Sequence, residues 1–385
     1  MAFHLISAAE LSKQPGPPLV ESNLVRENCR CWQGIIKVIA GYIKLFGGML
    51  MKIVKLINIV LIILLAFSMT SCTPPPPLQT TYTYEEPPPA PAPPSAPTVT
   101  ANVRDITRVT HDRDPEIWPR VSPNGKQLLF SVYDSQSSSQ ISLDPKSSSI
   151  VLIEIGSAGR KLVAGPYAKD GAWFPDGKNF VFKYLKMGTP ILVRTPVGGV
   201  GMTFISPQPL GDSDSNPDVS PDGNRIAFNT LIGAFYQICT VDATGDNFTV
   251  YTEGFCPRWS PDGSFLAFHN WVGEARQCFI LNLKTGQVTQ LTSGDYENIF
   301  PVWSPDGKWI SFVSNRDGKK HIYTMRNDGS HVTQLTKGDS QETHPEWASD
   351  NTIYFASDAG PPEAQNKFIY RRYSDIWRLR PILPQ

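Results

Sequence analysis

The sequence predicts an all-β protein, a six-bladed β-propeller with four-stranded blades in which an N-terminal strand closes the last blade. A short motif recurs six times, with its central position at Pro123, Pro175, Pro221, Pro261, Pro305 and Ser349. Successive copies stand 52, 46, 40, 44 and 44 residues apart, and an alternating apolar run follows each of them. Repeats of about 40 to 50 residues made of short strands are typical of propeller blades rather than of helical solenoids.

The motif itself predicts a tight turn between two strands. Its clearest copy is FPVWSPDG at 300–307, and looser copies stand at 118–125, 170–177, 216–223, 256–263 and 344–351. Proline fixes one corner of a β-turn, serine and aspartate bond nearby backbone groups, and glycine closes it. We therefore interpret the turn aspartates as structural residues rather than metal ligands: Asp176, Asp222, Asp262 and Asp306.

A predicted hairpin after each motif strand completes the blades. It is clearest where Ile322–Met325 and Val332–Thr336 flank an Asn-Asp-Gly turn. The sixth repeat supplies strands at Thr352–Ser357 and Asp375–Leu379 but no outer strand. The run Ile106–Thr110 matches the missing strand, so we expect it to complete the sixth blade and remove an open edge.

The chain ahead of the repeats is organised for export. Residues 51–71 combine two lysines, an apolar core and small residues, the layout of a signal peptide, and they lead to a lipobox-like ending before Cys72. We predict a lipoprotein with Cys72 lipidated; an uncleaved membrane anchor is the alternative. Residues 72–100, with eleven prolines after Cys72, predict an extended stalk, and residues 101–385 the propeller. Residues 1–50 are either a mis-set gene start or a cytoplasmic, membrane-surface extension.

Composition excludes one broad class of function. The chain has 35 basic and 35 acidic residues and no net charge, whereas an electrostatic nucleic-acid binder needs a basic surplus. We expect no nucleic-acid partner, no metal, no cofactor and a monomer. Cys239, Cys256 and Cys278 are expected as isolated buried thiols. The histidines of the repeat region have no metal-ligand spacing, and they are His111, His269, His321, His331 and His344.

The candidate binding site lies just ahead of each innermost strand. One residue that differs from repeat to repeat precedes the first proline of the motif, or the glycine that replaces it in the second copy, and acidic residues surround this position. These loops are expected to gather at one mouth of the channel, although solvated loops alone would also explain the pattern. The predicted partner-binding residues are Asp114, Glu116, Trp118, Asp170, Asp214, Asn216, Glu253, Glu297, Phe300, Glu342 and His344.

The copies VSPDG at 219–223 and WSPDG at 259–263 and 303–307 resemble the PD40 (WD40-like) repeats of the TolB propeller family. The second copy lacks the serine and the sixth lacks the proline and the glycine. The resemblance implies a non-enzymatic interaction module at the periplasmic side of a bacterial envelope. Together with the lipobox-like ending before Cys72, this predicts a protein that is lipid-anchored at the outer membrane. The resemblance also implies an envelope protein as partner, such as a peptidoglycan-associated lipoprotein.

Two alternatives remain open at the sequence level. A propeller that binds carbohydrate or peptidoglycan fragments would use exposed tryptophans, for which Trp259, Trp303 and Trp347 are the candidates, although blade packing also explains them. PD40 repeats occur in the propellers of prolyl oligopeptidase-type enzymes as well. The chain has no G-x-S-x-G nucleophile motif, so an enzyme would need a channel site that the sequence does not reveal.

Overall fold

The structure, a computed structural model, is described for residues 96–111, 114–133, 148–186, 189–198, 201–205, 213–359 and 374–384. These residues belong to one compact unit, Pro89–Gln385. The predicted signal peptide, Cys72, the extension 1–50 and nearly all of the proline-rich stalk lie outside the described residues. In the described ranges, no helix has the length and apolarity needed to cross a bilayer.

Six four-stranded antiparallel sheets form the propeller, and each of the first five is built from consecutive strands. Two N-terminal strands come first, β1 (Thr98–Val99) and β2 (Val103–Arg108). From the innermost strand outwards, the first blade consists of β3 (Glu116–Val121), β4 (Gln127–Tyr133), β5 (Ser148–Glu154) and β6 (Arg160–Ala164). The second blade consists of β7 (Ala168–Trp173), β8 (Asn179–Lys186), β9 (Thr189–Pro196) and β10 (Thr203–Phe204). The third blade consists of β11 (Ser215–Val219), β12 (Arg225–Ile232), β13 (Phe235–Asp242) and β14 (Thr249–Glu253).

The second half of the ring repeats this order. The fourth blade consists of β15 (Phe255–Trp259), β16 (Phe265–Val272), β17 (Ala275–Asn282) and β18 (Val288–Gln290), and the fifth consists of β19 (Asn298–Trp303), β20 (Trp309–Ser314), β21 (His321–Arg326) and β22 (Thr333–Gln334). The short β23 (Thr336–Lys337) lies between the last two blades in the chain. The sixth blade contains β24 (Glu342–Trp347), β25 (Ile353–Ser357) and β26 (Asp375–Pro381). The predicted six-bladed, four-stranded fold is confirmed.

The ring is closed by the N-terminal strand, as predicted. Strand β2 is the outer strand of the sixth blade and pairs antiparallel with β26, with Ile106 opposite Leu379. The strand covers Val103–Arg108 rather than Ile106–Thr110, so its pairing begins three residues earlier than the sequence match suggests. Just before it, Thr98 in β1 pairs with Lys337 in β23.

The repeated motif forms the turn between the first and second strands of each blade. In the third blade, Ser220 Oγ donates to Asp222 Oδ1 at 2.5 Å, and the Arg225 amide donates to Ser220 Oγ at 2.9 Å. The hydrogen bonds from Ser220 and from the Asn224 amide hold the pKa of Asp222 below its ordinary value. The carboxylate is thus engaged in the turn. Gly223 closes the turn with φ of +75°, a conformation that disfavours residues with a Cβ.

The core consists of apolar layers between neighbouring blades. Each second strand contributes a fully buried phenylalanine to these layers, and these are Phe130, Phe182, Phe228, Phe268, Phe312 and Phe355. Strand β8 adds a second one, Phe180. The motif tryptophans are buried beside the innermost strands, and Trp173 and Trp259 donate their indole N–H to the carbonyl oxygens of Arg120 and Asp218 in the blade next to them. Cys239, Cys256 and Cys278 are free, buried thiols, as expected.

Candidate functional site

The two faces of the ring differ in their connections. Because the strands are antiparallel, the motif turns and the hairpins between third and fourth strands lie on one face, which we call the turn face. The blade-to-blade connections and the hairpins between second and third strands lie on the other, which we call the entry face. The innermost strands begin at the entry face, so residues near their first positions surround the channel mouth there.

Every innermost strand carries a β-bulge at the same point. The pairing of first and second strands shifts by one residue in all six blades. The bulged residue has a positive φ, between 51° and 59°, although none is glycine; the six are Trp118, Asp170, Asn216, Cys256, Phe300 and His344. Bulges re-aim side chains. All six residues line one cavity at the channel axis.

The neighbouring blade holds the bulges in place. The amide of Asp170 donates to Ser131 Oγ at 3.0 Å, and the amide of Cys256 donates to Asn229 Oδ1 at 3.0 Å. At the equivalent point, the Phe300 amide faces His269 Nδ1 at 3.3 Å. The acceptor always comes from the second strand of the preceding blade, so each of these bulges is stabilised by a contact between blades.

Aromatic rings cover one side of the cavity. The Trp118 and His344 rings lie 3.9 Å apart between centroids, His344 and Phe300 lie 4.4 Å apart, and Trp118 meets Phe300 edge to face at 5.3 Å. Burial lowers the pKa of His344 to about 3, so its imidazole is neutral at physiological pH. The contacts continue outward from Phe300 to His269 at 5.3 Å.

The other side of the cavity is polar. Asp170 is only 5% exposed, and among the described residues neither a hydrogen bond nor an ion pair reaches its carboxylate. Cys256 is buried, which raises the pKa of its thiol and keeps it protonated. Because the Cys256 thiol stays protonated, it does not present a nucleophilic thiolate to the cavity. Asn216, on the same wall, is half-buried.

A charge network closes the channel beneath the mouth. It involves the residues two positions beyond the bulge, about 6 to 7 Å deeper along the strand. Arg120 contacts Asp218 at 2.8 Å and Glu346 at 3.3 Å, while Arg258 contacts Asp218 at 3.4 Å and also pairs with Glu346. Desolvation opposes the charge of Arg258, but the two carboxylates raise its pKa overall. Blades one, three, four and six are thus joined across the axis.

Asp170 lines the cavity, and the other predicted acidic residues divide into two groups. Three lie at or just before the first position of an innermost strand and are buried, but they do not line the cavity: Glu116, Asp214 and Glu342. Arg160 Nη1 contacts Glu116 Oε1 at 2.8 Å, and Glu342 is engaged by His321, Thr336 and Ser357. The carboxylates of Glu116 and Glu342 are thus held by polar partners inside the propeller.

The remaining acids lie near the entry face, outside the cavity wall. Arg276 pairs with Glu297, and Lys320 Nζ lies 3.9 Å from its other oxygen. Glu253 is exposed at the end of β14, and Asp114 is half-buried ahead of β3. Of the predicted site residues, the cavity therefore brings together Trp118, Asp170, Asn216, Phe300 and His344. Within the described ranges, no cluster of three or more metal-ligating side chains occurs.

The charged residues of the channel floor were not among the residues predicted from the sequence. Arg120, Asp218, Arg258 and Glu346 occupy one register position, directly after the proline that follows the bulge. The signal was present as alternating charge at that position in four of the six repeats. It was hidden because strand alternation alone does not show that the bulge turns this position, too, toward the axis.

The comparisons agree with the fold. Residues 230–371 match the family model of the TolB beta propeller domain, PD40. TolB from Acinetobacter baumannii is 17% identical, with a TM-score of 0.50 over 70% of this chain and 65% of that one. A protein assigned as TolB from Agrobacterium tumefaciens is 22% identical, with a TM-score of 0.48 over 55% and 76%. No curated protein matches the chain.

Propellers of enzymes resemble it as well. An oligogalacturonate lyase in complex with manganese is 12% identical, with a TM-score of 0.49 over 75% of this chain and 96% of that one. At such identities these likenesses concern the fold alone. The chain spans about two thirds of the Acinetobacter protein. Residues 230–371 therefore resemble the TolB beta propeller domain, PD40, and the structure shows the six-bladed propeller fold itself.

Proposed function

We propose that this propeller, part of which matches the TolB beta propeller domain, is a non-enzymatic interaction module that holds a partner protein at the entry-face mouth. The observation that supports this most directly is the convergence of six bulged residues, one from each blade, on a single cavity. Positive φ at tryptophan, phenylalanine or histidine is uncommon and carries a conformational cost. Such strain concentrates at binding sites.

The closed floor favours binding over passage. The network of Arg120, Asp218, Arg258 and Glu346 spans the channel beneath the mouth, so the cavity is a socket with one open side. An aromatic wall with a polar opposite wall is the composition of an interaction hot spot. A side chain of a partner that enters from the entry face would contact both walls.

The proposed setting is the bacterial envelope. The signal-peptide layout at 51–71 and the lipobox-like ending before Cys72 support export and lipidation, and the eleven prolines of the stalk support a spacer between membrane and propeller. On this account the protein is lipid-anchored at the outer membrane, faces the periplasm and acts as a monomer. The partner is an envelope protein, such as a peptidoglycan-associated lipoprotein.

Carbohydrate binding is less well supported by the residues first considered for it. Trp259, Trp303 and Trp347 are between 6% and 7% exposed, so none offers a ring face to a sugar. A glycan would have to use Trp118 and Phe300 at the mouth instead. Retention on peptidoglycan fragments, measured beside protein capture, separates this alternative from the main proposal.

The experiment is affinity capture from native membranes followed by mass spectrometry. The double variant Trp118→Ala, Phe300→Ala removes the aromatic wall, whereas Trp271→Ala removes a tryptophan that is 52% exposed and lies outside the cavity. We expect the first variant to lose a specific envelope protein that wild type and Trp271→Ala both retain. Equal capture by all three proteins would overturn the proposal, provided that circular dichroism shows them folded.

A further inference from the structure

One carboxylate in the propeller is buried without a described partner. Asp170 lines the cavity at 5% exposure, and its Oδ1 is fully enclosed with no hydrogen bond among the described residues. The closest chemical comparison is Asp218, which binds two arginines deeper in the channel. Burying a carboxylate without a donor is costly, so a protein normally supplies one.

The nearby lysine of the same blade does not fill this role. Lys183 Nζ donates to Ser215 Oγ at 2.6 Å, and no described ion pair within 4.0 Å joins it to Asp170. Desolvation lowers the pKa of Lys183. The site therefore contains a buried acceptor for which the described residues supply no hydrogen-bond donor.

The opposite wall also suits a cation. Trp118 and Phe300 present ring faces and edges around His344, and aromatic faces attract cations. The Nδ1 atom of His344 is enclosed, with no hydrogen bond among the described residues. Because this imidazole is neutral, its unprotonated nitrogen can accept a hydrogen bond. A carboxylate, a nitrogen acceptor and π-faces thus line one cavity.

We propose that the mouth binds the ammonium group of a lysine side chain from the partner. Its three N–H donors match the acceptors on Asp170 and His344, while its aliphatic stem packs on Trp118 and Phe300. The charge network below stops the side chain at this depth. This inference rests on the proposed function for the identity of the partner as a protein, and it adds which side chain is recognised.

The test uses two small probes with the same stem, Nα-acetyl-lysine N-methylamide and Nα-acetyl-norleucine N-methylamide. Binding to the full chain is followed through the ¹⁹F signal of Trp118 after labelling with 5-fluorotryptophan, and the signal is assigned by its loss in Trp118→Phe. We expect a saturable shift with the lysine probe and none with the norleucine probe. Equal shifts with both probes would contradict ammonium recognition.

Two matched variants locate the site. Asp170→Asn keeps the shape but removes the charge, and it should weaken binding of the lysine probe at least about tenfold, as expected for a lost charge-assisted hydrogen bond. Asp295→Asn removes an exposed acid outside the cavity wall and should leave the dissociation constant unchanged. An unchanged constant in Asp170→Asn would overturn the site, and so would an equal loss in both variants.

The two proposals fail separately. If the norleucine probe binds as well as the lysine probe while membrane capture still depends on Trp118 and Phe300, lysine recognition falls and the partner-binding mouth stands. If the lysine probe binds through Asp170 but no envelope protein depends on the aromatic wall, the ammonium site stands and the proposed function falls.

Discussion

At the scale of single residues, six different side chains occupy the same left-handed backbone conformation at the bulge positions. Tryptophan, aspartate, asparagine, cysteine, phenylalanine and histidine all adopt φ near +55° there. Only asparagine and aspartate tolerate that region readily. For two of the others, Cys256 and Phe300, a side chain of the preceding blade accepts the bulge amide, which offsets part of the strain.

His269 accepts the amide of the bulged residue Phe300, and it can do so only while its imidazole is neutral. It is 2% exposed, and burial, assisted by Arg276, lowers its pKa from 6.5 to about 3. The unfolded chain therefore binds more protons than the folded chain between those values, so this residue destabilises the fold progressively as the pH falls from 6.5 toward 3. At pH 5 the lowered pKa of His269 reduces the free energy of unfolding by about 2 kcal/mol, because each pKa unit corresponds to about 1.4 kcal/mol.

Asparagine should replace this histidine without the acid sensitivity. Asn229 already accepts the bulge amide at the equivalent position of the third blade. We expect His269→Asn to lose about 2 kcal/mol less free energy of unfolding than wild type between pH 7 and pH 5, as measured by urea titration. The exposed His331→Asn serves as the control. Parallel losses in wild type and His269→Asn would show that His269 is not held neutral.

At the scale of elements, the motif turn tests the argument about backbone conformation. Gly307 has φ of +69°, and a Cβ there would lie 3.8 Å from Pro261 Cδ, an ordinary contact, so conformation rather than crowding decides the cost. Gly307→Ala should cost about 1 to 2 kcal/mol. Gly307→Asn should cost less, because Asn351 occupies the same turn position of the sixth repeat at φ of 64°.

Thermal unfolding of both variants measures this order. If alanine and asparagine are equally destabilising, the left-handed preference is not what selects glycine in the turn. If neither destabilises, the turn is adaptable and its sequence reflects something other than backbone geometry.

Most of the turns and strands were predictable from the sequence because they depend on the chemistry of neighbouring residues. Pro305, Asp306 and Gly307 specify a turn by themselves, and the following alternation specifies a strand. The wall of the site was predictable only in part. The variable positions from Trp118 to His344 could be aligned to one register, but their residue types do not signal a bulge.

The acidic residues illustrate the limit more sharply. Glu116 and Glu297 looked equivalent as charges near a predicted mouth. One is enclosed against Arg160, whereas the other is half-buried beside Arg276 and Lys320. Partners from other strands decide these environments, and spacing along the chain does not identify them. For Asp170, only the three-dimensional structure shows that Oδ1 is buried without a hydrogen-bond partner among the described residues.

At the scale of the whole molecule, closure by β2 links the beginning of the propeller to its end. Removing residues 1–110 eliminates this strand and exposes the edge of β26, whereas removing residues 1–95 leaves every described strand in place. We expect the longer deletion to cost at least about 2 kcal/mol, the order expected for losing the apolar contacts of Ile106. Calorimetry of the two truncated proteins measures the difference. Matching transitions would show that the sixth blade does not need its outer strand.

Site-specific photo-cross-linking tests most directly whether the entry face holds the partner. A photoreactive amino acid at Glu253, exposed at the end of β14, probes the entry face, and one at Asp246, in the exposed hairpin before β14, probes the turn face. We expect irradiation of native membranes to yield one discrete envelope-protein adduct from position 253 and none from 246, and we expect the Trp118→Ala, Phe300→Ala change to abolish it. An adduct from 246 alone, or one from 253 that survives loss of the aromatic wall, would contradict partner binding at the entry-face mouth.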